Sequence, residues 1–177
     1  MDRDESLRRL AGHAHFARFE PSELEQLFEA CELHDCEEGQ SFLKEGGRGD
    51  SALFLLDGRA EVTKIGSSGG SHRLDEVGPG DFLGEVGLLT AHPRSATVTA
   101  LEPTVWLELP RERFQALLHA GSSSARKLLE HVATTLAERA RTMNERFVEL
   151  LGHEHAAAGP PDFEDLQARL RQALLRP

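Results

Sequence analysis

The chain is poor in cysteine, in clustered positive charge and in long apolar runs, and each shortage narrows what it can be. Its two cysteines, Cys31 and Cys36, stand at the end of a helix-like run and the start of a strand, where they read as reduced, buried thiols. No block of Lys or Arg interrupts a formal charge of −10, from 30 acidic and 20 basic residues. Wholesale binding to a nucleic-acid backbone is not expected, because that interaction grows with the number of neutralising cations. A single small anion needs only a local positive site. No apolar stretch approaches the ~18 residues of a membrane span. The start, Met1-Asp2-Arg3-Asp4-Glu5, lacks the basic region and apolar core of an export signal. These absences point to a cytoplasmic location without membrane insertion. At 177 residues the chain has room for one main domain with helical appendages.

What is present has a clear order. Leu7, Leu10, Ala14 and Ala17 recur at helical spacing, and Pro21 opens a second helix through Leu24, Leu27 and Phe28, with Ser22 and Glu23 near its start. From Glu32 to Leu109 the texture changes to short apolar runs punctuated by glycine, the mark of antiparallel β-structure. Strands are expected at 41–44, 52–56, 60–65, 72–77, 96–101 and 105–109. Turns are expected at Asp57-Gly58 and at the polar tip Gly66 to Ser71. The simplest assembly is mixed α and β: an antiparallel β-roll, a jelly-roll-like double-stranded barrel, flanked by N-terminal helices and a long C-terminal helix.

After Pro110 a short helix, Arg111 to Leu118, leads through Gly121-Ser122-Ser123-Ser124 into that long helix. Leu129, Val132, Leu136, Ala140, Met143, Phe147 and Leu150 step by three and four, so one face stays apolar. The face suits either a dimer seam over 125–151 or packing on the same chain. The expected divisions are N-terminal helices 1–34, roll 35–110, hinge and long helix 111–151, then 152–177 as a linker and a short amphipathic helix with Phe163, Leu166, Leu170 and Leu174 on one face.

The segment Phe82 to Val98, FLGEVGLLTAHPRSATV, carries the chemistry. Gly84-Glu85-Val86-Gly87-Leu88-Leu89 follows the turn Gly78-Pro79-Gly80-Asp81, so its first backbone N–H groups suit an anion. Arg94 supplies the counter-charge: a guanidinium is always protonated, planar and able to grip two phosphate oxygens at once. Glu85 does the opposite job, because an ionised carboxylate only accepts hydrogen bonds and so repels phosphate but welcomes a sugar hydroxyl. Together the two residues orient a ligand with a phosphate at one end and a sugar at the other.

This segment resembles the phosphate-binding cassette of the cyclic-nucleotide-binding domain family, with Leu83 as one extra residue between Phe82 and Gly84. The stretch Glu45 to Gly58 looks like the family's early hairpin, with Phe54 where Tyr is common, and the likeness spans about Leu7 to Leu151. The resemblance implies that Gly84 lets backbone approach the ligand, Glu85 binds the ribose 2′-hydroxyl, and Arg94 with Ser95 holds the cyclic phosphate. Val86 and Ala96 belong to the same site, and Leu83, Val62 and Leu74 are candidates to line the base pocket. It implies a non-catalytic sensor module for cyclic AMP, in preference to cyclic GMP, that signals through the long helix to an output partner the sequence does not name. In this family the long helix dimerises.

Other readings stay open beside it. Arg139 lies near the apolar face of the long helix, where a cation needs a partner. It either caps the base, reaches a carboxylate such as Glu85, or pairs with Glu138 or Glu145. The tail from Gly152 onward is shorter than the about 50 residues an independent domain needs, so no DNA-binding module and no DNA partner is expected behind the sensor. A ligand-free structural or dimerisation module of the same fold is one alternative. A cupin-type metal-dependent enzyme is another, but it needs clustered inward histidines, and the strand-like segments hold only His72. His13 and His15 lie in a helical stretch where alternate residues face apart, and His153 and His155 in a linker without a third ligand in sequence, so no metal is expected.

Overall fold

The computed structural model describes residues 1–66 and 69–158, without the side chains of Phe147 and of 149–158. The short C-terminal helix expected after Asp162 lies outside the described residues. The chain divides after Val132, so residues 1–132 form one unit and a second begins at Ala133.

Two helices open the first unit. Helix α1, Arg3–Ala11, is capped by the Asp2 carboxylate, which accepts from the Glu5 N–H at 2.8 Å. It stops at Ala11 instead of running through Ala14 and Ala17: Gly12 closes it, and a short 3-10 turn, Ala14–Phe16, follows. The apolar spacing is real, but it spans two elements, with Leu10 and Phe16 both buried. Helix α2, Pro21–Glu29, starts on a capping box in which Glu20 and Glu23 each satisfy the other's backbone N–H.

Eight strands follow and form two antiparallel four-stranded sheets. They are β1 (Glu32–Cys36), β2 (Ser41–Leu43), β3 (Ser51–Asp57), β4 (Ala60–Ile65), β5 (Ser71–Val77), β6 (Phe82–Leu83), β7 (Thr97–Ala100) and β8 (Thr104–Pro110). One sheet has the order β1-β8-β3-β6 and the other β2-β7-β4-β5. Strand β3 reads as an unbroken apolar run because both its faces are covered. Leu53 and Leu55 join Val77, Val98 and Trp106 inside the roll, while Phe54 turns the other way, its ring 4.6 Å from Phe82 and 5.2 Å from Phe16. Each such fully buried side chain stabilises by about 1.5–3 kcal/mol. Strand β5 is the reverse case. It is an exposed edge, and Arg73, Asp75 and Glu76 keep it from pairing with another chain.

Helices α3 (Glu85–Thr90), α4 (Arg111–His119) and α5 (Ser123–Ala158) complete the described chain. The start of α5 is tied to α2, since Ser122 and Ser124 both donate to the Gln26 side-chain oxygen, at 2.6 and 2.9 Å. The helix runs past Gly152, where a linker is expected from sequence. A mid-helix glycine costs only about 1 kcal/mol and does not end a helix unless the backbone turns left-handed there.

Candidate functional site

The site is built where α3 lands on the first residue of β3. Gly84, at φ +70°, starts α3 from the left-handed region, which favours glycine. A Cβ there would lie 2.2 Å from the Arg94 Nη1 and 3.0 Å from the Ser51 carbonyl oxygen. At Gly87 it would lie 2.9 Å from that same oxygen. The two glycines, three apart on one helical face, therefore let α3 lie directly on the backbone of Ser51.

Arg94 is the centre of this arrangement. Its Nη1 donates to the Ser51 carbonyl at 2.7 Å and its Nη2 to the Ser51 hydroxyl at 2.6 Å. Its Nε is buried and has no acceptor. Its backbone is fixed from both sides, as the Gly46 N–H donates to the Arg94 carbonyl and the Arg94 N–H to the Gly47 carbonyl, each at 2.9 Å. Burial lowers the guanidinium pKa from its ordinary value, and the carboxylates of Glu108, Asp50 and Glu85 act in the opposite direction. A half-buried cation held this way is ready for an anion.

Glu85, the first residue of α3, is only 4 % exposed and acts electrostatically on Arg94, so the two residues singled out in sequence share one locality. Val86 is exposed beside it. Ser95 is exposed and Ala96 half-buried, just before β7. Leu83 and Val62 pack against the roll core. Leu74 is 58 % exposed and falls in the register break between the Val62/Asp75 and Thr63/Arg73 pairs. Arg139 is exposed on the part of α5 that belongs to the second unit. Among the described residues no three His, Cys, Asp or Glu side chains gather as metal ligands, and no helix is long and apolar enough to cross a membrane.

Ser51 and Asp50 were not read as partners of Arg94 from sequence. They lie in another segment, 43 residues away in the case of Ser51, and only the Gly-x-x-Gly spacing of α3 hints that something must pass beneath it. Both thiols are free, as expected, but each is half-buried where full burial was expected, because they sit at the edge of α2 and on β1 and not in the core; desolvation still pushes Cys31 up to about 12.

The molecule is thus a two-sheet β-roll with a half-buried arginine set against a short glycine-started helix. Residues 33–120 match the family described as the cyclic nucleotide-binding domain, and this segment of the chain belongs to it. The chain is 32% identical over 117 residues to the cAMP-dependent protein kinase regulatory subunit of Dictyostelium discoideum, a match that covers 64% of this chain and 35% of the relative. It thus spans about a third of that protein's length. Among solved structures, the Thermus thermophilus catabolite activator protein superposes with a TM-score of 0.72 at 26% identity, covering 80% of this chain and 64% of that one. A cyclic nucleotide-binding domain from Methylobacillus flagellatus gives 0.70 at 27% identity, covering 82% of each chain.

Proposed function

We propose that this module binds a cyclic nucleotide, cyclic AMP in preference to cyclic GMP, and passes the binding event on through α5. One observation carries the reading: a half-buried guanidinium, braced on Ser51 and lying over Gly84, with its Nε–H lacking an acceptor, in the segment that matches the family. Arg94, helped by Ser95, takes the phosphate; Glu85 accepts from the ribose hydroxyl; Val86, Ala96, Leu83, Val62 and Leu74 supply apolar surface around the base. The preference for cyclic AMP rests on the likeness to a kinase subunit named for it.

A ligand shifts a two-state equilibrium only by binding one state better. Phosphate at Arg94 tightens the short helix above it, and the hinge helix α4 follows because Arg111 Nε donates to the Leu88 carbonyl at 3.3 Å. Helix α5 comes next in the chain. Calorimetric titration with both nucleotides tests the reading. Wild type takes up cyclic AMP, and Arg94→Ala loses on the order of 3–5 kcal/mol, as expected for breaking a buried ion pair. Absence of binding by wild type, or native affinity in Arg94→Ala, would overturn it; the first result would favour a ligand-free structural module.

A further inference from the structure

Arg94 uses one edge of its guanidinium and leaves the Nε–H of the adjacent edge without an acceptor. The bonds from Nη1 and Nη2 end on two atoms of a single residue, the carbonyl and hydroxyl oxygens of Ser51. They therefore consume the pair of hydrogens that lies between the two Nη atoms. What remains is the adjacent edge, formed by Nε–H and the second Nη2–H. The Nε–H on that edge is buried and unbonded. A donor in that condition is unfavourable until an acceptor arrives.

Ser51 is well suited to act as a brace. It is 2 % exposed and begins β3, where the next five residues are buried as well. Its carbonyl alone would be a single pivot about which the guanidinium could swing. The hydroxyl adds a second point and fixes the plane. Its neighbours limit the alternatives, since a Cβ at Gly84 or Gly87 would collide with this same corner.

We propose that Ser51 is a positioning residue for the phosphate: by occupying the end-on edge of Arg94 it presents the side-on edge, two parallel N–H groups, to the two charged oxygens of a cyclic phosphodiester. Two parallel donors match two oxygens of one phosphate, the bidentate geometry that arginine favours. The inference rests on the nucleotide-binding reading above and adds a residue outside the cassette to it.

The test compares wild type, Ser51→Ala and Ser51→Thr by calorimetric titration with cyclic AMP, thermal unfolding, and nitrogen-15 NMR of arginine side chains in the ligand-free protein. Ser51→Ala is expected to bind about tenfold more weakly, as for loss of one hydrogen bond to a charged group, while unfolding within a few degrees of wild type. Ser51→Thr, which keeps the hydroxyl, recovers the affinity. The Arg94 Nη signals, separated in wild type because the guanidinium is held, merge in Ser51→Ala. Wild-type affinity in Ser51→Ala would overturn the role of Ser51 alone, and so would weaker binding with unchanged Arg94 signals. Absence of binding by wild type would overturn both readings, and that arm is measured first.

Discussion

At the scale of single residues, the two ends of α3 pose the same conformational problem and solve it differently. Gly84 and Ala91 both adopt left-handed backbone, at φ +70° and +53°. Only one is a glycine. A non-glycine in this region costs roughly 1–2 kcal/mol, so Ala91→Gly is expected to stabilise the protein by about 1 kcal/mol in urea unfolding after the added chain entropy of glycine is set against it. That Glu85 and Arg94 share one locality was legible in sequence because they lie in one short segment. Ser51 was not, because no local pattern reveals which backbone a distant side chain will reach. The position of Leu74 at a bulge is a second example: a run of strand residues does not show where the register shifts.

Among the elements, the junction of α2 with α5 has the clearest consequence for stability. The Glu23 carboxylate accepts from the Glu20 N–H at 2.8 Å and from Lys127 Nζ at 2.5 Å, joining a helix start to the body of another helix. The hydrogen bond from Lys127, with those from Glu20 and Ser123, pulls the Glu23 pKa from 4.5 down to about 2. A carboxylate depressed by folding contributes stability above its unfolded pKa, and that contribution is lost as pH falls through 4.5 towards 2. Glu23→Gln is expected to flatten this part of the acid limb in denaturation followed by circular dichroism. Strands β3, β4, β5 and β8, set between turn residues, were readable from sequence, and so was the start of α2; β1 was not expected, because Glu32, His34 and Asp35 give Glu32–Cys36 a polar texture. Strand β6 was not, since two residues carry no period and exist as a strand only by pairing with Leu53 and Phe54. The ends of α1 and α5 were missed for a related reason. Apolar spacing continued past Gly12, and glycine at 152 did not break the helix.

For the whole molecule, the open question is what α5 does with its apolar side. Met143, on the face that Leu136 and Ala140 share, is 70 % exposed. The heptad spacing of this face suits a second copy of the chain. Sedimentation of the full chain is expected to show a dimer, and Met143→Glu to weaken it by at least about tenfold, the effect of placing charge in an apolar seam. A monomer at all concentrations would remove the dimer from the account and leave the nucleotide site as argued.

The stack of rings inside the roll bears on how all of this can be watched. Trp106 on β8 lies between His34 of β1 at 5.6 Å and Phe42 of β2 at 4.6 Å, so one indole touches both sheets. The chain holds no tyrosine and no other tryptophan. Its near-ultraviolet emission therefore comes from a single emitter at the place where the two sheets meet, and separation of either sheet alters the same signal without any label being attached.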